Sequence, residues 1–132
     1  MAIVFLVARI LLGLMFTVLG LNGFLHFLPT PHLDPLVAEF FTVLSQSHYY
    51  VFIFAVQLIA GLLLLTGQFV PLALVLLGAV LANIWTFHIT MQPAGFPMPL
   101  LATVLWVIVA WPLRATFAPI FARRPLPERS SR

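Results

Sequence analysis

The sequence predicts an all-α fold: an integral membrane four-helix bundle with a short interfacial amphipathic helix between helices 1 and 2. Of the 132 residues, 63% are hydrophobic and 7% are charged, whereas soluble domains are about 25% charged. A soluble globule of this length has too much surface to bury so many apolar side chains. Four apolar stretches are each long enough to cross the hydrocarbon core of a bilayer, which takes about 20 residues.

Prolines and glycines predict where the spans begin and end. Pro29 stops the first stretch, Gly67 suits the end of the second, and Pro71 suits the first turn of the third. Pro112 lies inside the fourth stretch and predicts a kink near Trp111, because proline removes a helical hydrogen bond. The predicted transmembrane domain is 1–118, with spans at about 2–28, 48–66, 71–91 and 99–118, and 119–132 is a disordered cytoplasmic tail.

Residues 35–46, between the first two spans, predict an amphipathic helix. Asp34 and Pro35 suit an N-cap followed by a first helical turn. The apolar residues of the segment cover one arc of a helical wheel, and the polar residues cover the opposite arc. The helix is too short to cross a bilayer. We therefore expect it to lie in the interface or cap the bundle, with Phe40 and Phe41 in apolar surroundings.

Charge placement predicts the orientation and excludes some partners. Except for Arg9, every arginine follows the apolar part of the fourth span, whereas Asp34 and Glu39 lie between the first two spans. Because positive charge favours the cytoplasmic side, both termini are expected in the cytoplasm. No folded segment carries a basic patch interleaved with aromatics, so no nucleic-acid partner is predicted. The chain has no cysteine, which excludes disulfides, thiolate metal sites and iron–sulfur clusters.

Uncharged polar residues inside the spans are the candidate site residues. Such groups are costly in hydrocarbon unless they are hydrogen-bonded, and they often mark a site. All four histidines fall toward the outer side, and a deeper layer of carboxamides lies below them. This distribution predicts an outward-facing polar pocket. The predicted ligand-binding residues are Asn22, His26, Gln57, Asn83 and His88, with Arg9, His48, Tyr49, Thr86 and Gln92 in supporting positions.

Helical geometry limits which of these residues share a helix face, and each of them has an alternative role besides ligand binding. Asn22 and His26 are four residues apart and so share a helix face. Asn83 and His88 lie roughly 140° apart on a helical wheel, so they are not both expected to face one bundle axis. The alternative role for the carboxamides of Asn22, Gln57 and Asn83 is hydrogen bonding between helices. For His26 and His88 the alternatives are bonding to a carbonyl or water at the interface, and a metal or haem site.

A glycine-bearing stripe on the first span predicts a helix contact. Arg9 lines up on the wheel with Gly13, Phe16 and Gly20. Small residues let helix backbones approach closely in lipid, so this stripe is interpreted as a packing face. Arg9 is expected either to extend back to the cytoplasmic surface or to find a partner inside the bundle.

Short segments across residues 9–115 have a recognisable order and spacing when taken together. They are Arg9–Gly13, Gly20–Pro29, Gln57–Gly67, Phe69–Leu74, Asn83–His88 and Pro93–Gly95. In this order they resemble the DoxX-like family of small four-helix bacterial membrane proteins. The family often has Glu at the position of Gln57 and Lys at that of Gly23, so this chain lacks a charge pair that many relatives could form.

The resemblance implies a multi-pass protein of the bacterial inner (cytoplasmic) membrane. Family members have been linked to quinone-coupled sulfur oxidation and to membrane oxidoreductase complexes, and more distant relatives assist receptor assembly. The residues themselves assign no catalytic group, because the sequence has neither a glycine-flanked serine nor a phosphate loop. Whether the protein is an enzyme is therefore left open.

Three functions of different classes remain. The favoured one is a ligand-binding or accessory/assembly protein, whose pocket holds a lipid-like or other apolar small molecule, or a transmembrane helix of a partner. The alternative is a membrane subunit of an oxidoreductase, with a quinone in the pocket or haem between His26 and His88. A small transporter is the third, and it would need an oligomer because four helices leave little room for a pore. The expected partners are membrane lipid, a quinone or other apolar molecule, and a partner membrane protein or a second copy.

Overall fold

The computed structural model describes residues 1–125, which contain helices and connecting turns and no strand. The last part of the predicted disordered tail, 126–132, lies outside the described residues. The α-helices are α1 (Ala2–Leu25), α2 (Pro35–Gln46), α3 (Tyr49–Thr66), α4 (Val70–Thr90), α5 (Pro97–Ala110) and α6 (Arg114–Phe117). Single turns of 3-10 helix occur at Pro93–Gly95, Trp111–Leu113 and Ala118–Phe121.

Four helical segments are long and apolar enough to cross a membrane: α1, α3, α4 and the run Pro97–Phe121. In the most apolar window of each, only 22% of the residues are buried within the protein. Large apolar side chains point outward along the bundle, including Ile3, Phe52 and Ile89, which are 75%, 66% and 69% exposed. Water would not stabilise a surface of this kind, whereas lipid does. The predicted all-α four-helix membrane fold is confirmed.

The four spans form a ring in which α3 packs between α1 and α4, and α5 closes the ring against both. Leucines and small residues fill the centre, with Phe16 the largest fully buried side chain. The bundle has two ends, which we name by their side chains. The arginine end carries Arg9, Arg114, Arg123 and Arg124, and the histidine end carries His26, His32, His48 and His88.

Glycines bring α1 and α3 together backbone to backbone. A Cβ added at Gly20 would lie 2.7 Å from the backbone nitrogen of Leu58, and one at Gly61 would lie 2.6 Å from the backbone nitrogen of Thr17. One at Gly13 would lie 3.1 Å from the carbonyl oxygen of Gly61. No residue larger than glycine fits at this separation, so the predicted packing stripe on α1 is confirmed.

Two indole groups fasten α4 to α5. Nε1 of Trp85 donates to Oγ1 of Thr103 at 2.9 Å. Nε1 of Trp106 donates to the carbonyl oxygen of Leu74 at 2.8 Å, on the arginine-end half of the bundle. Side-chain hydrogen bonds therefore join α4 and α5 at two levels of the bundle. In contrast, α1 and α3 pack through glycine contacts.

Pro112 breaks the fourth span where the sequence predicts a kink. The α-helix stops at Ala110, and Trp111–Leu113 form a 3-10 turn before the short helix α6. Leu113 has φ −96° and ψ 7°, outside the helical region. The proline ring thus ends one helix and starts another, because it can neither donate a hydrogen bond nor fit beside the preceding turn.

Helix α2 lies across the histidine end and buries a narrower face than the sequence predicts. Val37 is fully buried and Phe40 is half-buried, whereas Leu36 and Val43 are 56% and 63% exposed. Asp34 occupies the N-cap position, yet its side chain makes no capping hydrogen bond. The helix covers the bundle with one side and leaves apolar side chains on the other, as expected at a lipid interface.

Candidate functional site

A cavity of about 350 Å³ lies in the histidine-end half of the bundle. Side chains from all five helices α1 to α5 line it, and most of them are apolar. The polar lining residues are Asn22 from α1, Gln57 from α3, and Asn83 and His88 from α4. Four of the five predicted pocket residues therefore meet around one cavity, and no carboxylate, arginine or lysine lines it.

Gln57 is the buried polar residue of this cavity, with 5% of its surface exposed. The side-chain hydrogen bonds that join helices within residues 1–125 start from Arg9, Trp85 and Trp106, and none involves Gln57. The Gln57 carboxamide is thus a donor and an acceptor that the protein itself leaves unused.

One of the two polar groups of the Asn22 side chain is hydrogen-bonded within the protein. Its side-chain oxygen accepts a hydrogen bond from the backbone nitrogen of Leu28 at 2.8 Å. This bond ties the chain that follows α1 back to the last turns of the helix. The amino group of Asn22 has no partner among residues 1–125 and remains a donor next to the cavity. Within residues 1–125, neither Asn22 nor Asn83 makes a side-chain hydrogen bond to another helix. The alternative role predicted for them, hydrogen bonding between helices, is therefore not seen in this part of the chain.

Asn83 and His88 flank the α4 wall of the cavity, with Ile84 and Phe87 between them. Nδ1 of His88 lies 2.9 Å from the carbonyl oxygen of Ile84. Because a carbonyl only accepts, Nδ1 carries a proton, and Nε2 of the neutral ring is then an acceptor. The ring edge faces Gly95, where an added Cβ would lie 2.7 Å from Nε2. Glycine at position 95 thus makes room for the imidazole.

Three phenylalanines cover the cavity on the α2 side. Phe40 and Phe41 from α2 lie against Phe87 from α4, and each pair of ring centroids within the group is 5.7 Å apart. Separations of this size are typical of favourable aromatic contacts. Three residues that line the cavity are also exposed at the protein surface: Phe41, Asn83 and Met98. The cavity therefore opens to the surface beside this aromatic cover.

His26 is the predicted pocket residue that the structure places elsewhere. Helix α1 ends at Leu25, earlier than the predicted boundary at Leu28, and His26 takes the left-handed conformation with φ 52° and ψ 44°. The chain therefore turns before His26 can follow Asn22 on the same helix face. His26 is exposed and does not line the cavity.

The predicted supporting residues lie around the cavity or far from it. Arg9 is at the opposite end of the bundle, where it donates to the carbonyl oxygen of Leu64. Thr86 is exposed and bonds back to the carbonyl oxygen of Ala82 at 2.9 Å. His48 and Tyr49 are exposed at the start of α3 and do not line the cavity. Only Gln92 lies close, since it contacts the same Gly95 as His88.

Metal binding by the described residues has no support. Among residues 1–125, no three histidine or acidic side chains come close enough to hold a metal ion.

A comparison with protein-family models, curated proteins and solved structures finds no match to this chain. The DoxX-like resemblance therefore stays a prediction.

Proposed function

We propose that this protein is a small DoxX-like accessory protein of the bacterial inner membrane that binds an apolar molecule in the histidine-end cavity. One observation carries the proposal: Gln57 is a buried residue, 5% exposed, that lines the cavity, and its carboxamide has no hydrogen-bond partner among residues 1–125. Ligand pockets are mostly apolar, with a few placed polar groups that fix orientation. A ligand that bonds to Gln57 uses the donor and the acceptor that this carboxamide presents to the cavity.

The lining defines the chemistry of the ligand. No charged carboxylate, arginine or lysine lines the cavity, so the ligand is uncharged where it contacts the wall. The carboxamide of Gln57 offers both a donor and an acceptor, and the side-chain nitrogen of Asn22 offers a further donor. A carbonyl or hydroxyl on an apolar or aromatic body satisfies these groups, with the body against Phe40, Phe41 and Phe87.

The proposal is tested by identifying small molecules that co-purify with the full chain. Mass spectrometry would compare the wild type, Gln57→Leu and a control, Gln68→Leu. Gln68 is exposed in the turn between α3 and α4, at the arginine end. We expect one apolar compound in the wild type and in the control, depleted about tenfold in Gln57→Leu, the effect of about 1.4 kcal/mol of binding energy. A wild-type protein that carries no compound, and that crosslinks to no membrane partner, contradicts the proposal.

Both termini are proposed to lie in the cytoplasm, with the cavity opening toward the outer leaflet. Arg9, Arg114, Arg123 and Arg124 cluster at one end of the bundle, and positive charge favours the cytoplasmic side. An assembly role adds a membrane protein partner or a second copy of the chain. Crosslinking in the membrane distinguishes that role from small-molecule binding alone.

A second candidate is a quinone-binding subunit of an oxidoreductase. The unused donor and acceptor of the Gln57 carboxamide, next to an aromatic cover, fit a quinone or quinol head group. Such a molecule would supply electron transfer, and these residues would hold and orient its oxygens. The haem version fits poorly. His26 lies outside the cavity, and Nε2 of His88 faces Gly95, so the two imidazoles do not converge.

A further inference from the structure

A second concavity, of about 590 Å³, lies at the arginine-end half of the bundle. We call it the arginine-end groove. It runs between residues 74–79 of α4 and the chain from Trp106 to Phe121, and it shares no lining residue with the histidine-end cavity. Gly78 forms part of its floor, because an added Cβ there would meet only the Trp106 ring, at 3.4 Å. The groove is apolar apart from Arg114.

The groove is an exposed apolar surface within the fourth-span half of the bundle. Its α4 wall runs from Leu74 to Ala79, about 8 Å along the axis, and its other wall follows the chain from Trp106 to Phe121. Half of a hydrocarbon core is about 15 Å, so the α4 wall spans about half of one leaflet. The wall faces outward from the bundle, since Val75 and Val107 are 47% and 46% exposed. In a bilayer, the acyl chains of the adjacent leaflet therefore contact this groove.

Arg114 is the charged residue of the groove lining. Its Nη1 donates to the carbonyl oxygen of Trp111 at 3.0 Å, and its guanidinium carbon lies 5.2 Å from the centroid of the Trp111 ring. The contact holds the guanidinium over the indole and uses one of its five N–H donors. The other donors have no partner among residues 1–125. A guanidinium fixed in this way is well suited to phosphate oxygens.

The charges around the groove favour an anionic occupant. Arg123 and Arg124 lie at the same end of the protein, whereas both acidic residues of the described chain, Asp34 and Glu39, lie at the histidine end. A second copy docked by the same face would bring two arginine clusters together, and residues 1–125 supply no carboxylate at this end. A phospholipid with net negative charge meets no such repulsion.

We infer that the arginine-end groove binds one acyl chain of an anionic phospholipid, with the lipid phosphate against Arg114. This site is separate from the proposed ligand cavity. The acyl chain lies over Gly78 and Ala79, and the guanidinium donates to the phosphate oxygens at the membrane surface. The lipid thereby covers the seam between α4 and the proline-broken fourth span.

Native mass spectrometry of the full chain, released from detergent, tests this site with two lipids of identical acyl chains. Dioleoylphosphatidylglycerol is compared with dioleoylphosphatidylcholine. We expect the wild type to bind the anionic lipid about fivefold more tightly, the effect of one arginine near a membrane phosphate. Arg114→Gln should abolish this preference. Arg124→Gln removes the same charge from an exposed position outside the groove lining and should leave the preference unchanged.

A second variant tests the acyl-chain part of the site. Ala79 is exposed and lines the groove, so Ala79→Phe fills the groove without entering the core. It should weaken binding of both lipids while the melting temperature stays near that of the wild type. Equal binding of the two lipids by the wild type, or equal losses in Arg114→Gln and Arg124→Gln, would overturn the inference. So would displacement of the lipid by excess inorganic phosphate, since the acyl chain would then contribute nothing.

Discussion

Arg9 of α1 donates a hydrogen bond from Nη1 to the carbonyl oxygen of Leu64, in the last turn of α3. The same carbonyl accepts from the backbone nitrogen of Gly67 at 3.3 Å. The carbonyl end of a helix carries partial negative charge, so a guanidinium there is stabilised without a carboxylate. The sequence left two expectations for this arginine, and the structure shows a partner inside the bundle.

Gly67 completes this contact. It takes the left-handed conformation at φ 70°, and a Cβ added to it would lie 2.6 Å from Nη1 of Arg9. Glycine is thus required both for the backbone conformation and for the space that the guanidinium fills. The end of α3 and the first half of α1 are therefore joined at the arginine end, through Arg9 and two residues that lie more than 50 positions later in the sequence.

Replacing Arg9 tests the energetic weight of this contact. Arg9→Met keeps an apolar side chain of similar length and removes the donor, so we expect the free energy of unfolding in detergent to fall by about 2 kcal/mol. Arg123→Met is the control, because Arg123 is exposed and should give no measurable change. Chemical denaturation of both variants, followed by circular dichroism, measures the difference. An equal loss in the two variants would mean that net charge, and not the Leu64 carbonyl, sets stability.

The glycine contacts between α1 and α3 predict a large effect of a single methyl group. In Gly20→Ala the new Cβ meets the backbone nitrogen of Leu58 at 2.7 Å, and backbone cannot move aside without separating the helices. We expect a loss of about 1–3 kcal/mol in the free energy of unfolding. Gly78→Ala is the matched control, since its Cβ would meet only the Trp106 ring at an ordinary 3.4 Å. The prediction fails if thermal denaturation ranks the two variants equally.

The fold could be predicted because hydropathy, proline and glycine act locally. Pro112 broke the fourth span, Gly67 ended α3, and the Gly20 stripe met another helix. The site was harder to predict from the sequence, because its geometry depends on where helices end and how they pack. His26 was placed beside Asn22 by helical spacing, but the chain leaves the helix at Leu25.

The α4 wall shows a second limit of helical wheels. Asn83 and His88 were not both expected to face one axis, yet both line the cavity, because the cavity is broad enough to contact the whole arc between them. Phe87, in the middle of that arc, was not singled out. Its only sequence signal is its place between Asn83 and His88, and its partners Phe40 and Phe41 are too far away in sequence to indicate it.

The absence of cysteine from the sequence makes the orientation directly testable. Thr30→Cys places a thiol in the exposed connection between α1 and α2, and Ala122→Cys places one after the fourth span. A membrane-impermeant maleimide added to intact spheroplasts should label Thr30→Cys alone, because the arginine end is proposed to be cytoplasmic. Both should react after the membrane is dissolved in detergent. Labelling of Ala122→Cys alone in intact spheroplasts would reverse the proposed orientation.

The positions of the histidines predict that the purified protein does not bind haem at a histidine pair. His26 is exposed outside the cavity, while Nδ1 of His88 is bonded to Ile84 and its Nε2 faces Gly95. We therefore expect no Soret band when haem is titrated into the protein, beyond that of haem in detergent alone. A Soret band lost in His88→Leu but kept in His32→Leu would contradict this prediction and favour a haem-linked role.

The quinone candidate makes a different prediction about the same wall. If a quinol accepts from the carboxamides and lies against the His88 side chain, His88→Leu and Asn83→Leu should each weaken binding of a short-chain ubiquinol. Loss of one hydrogen bond to an uncharged group is worth about 1 kcal/mol, or about fivefold in Kd. Thr86→Leu is the control, because Thr86 is exposed on the same helix, bonded to Ala82 and outside the cavity lining. Equilibrium dialysis in detergent measures the three constants. Unchanged binding in both cavity variants removes the quinone from consideration, while the apolar ligand sought through Gln57 would remain open to its own test.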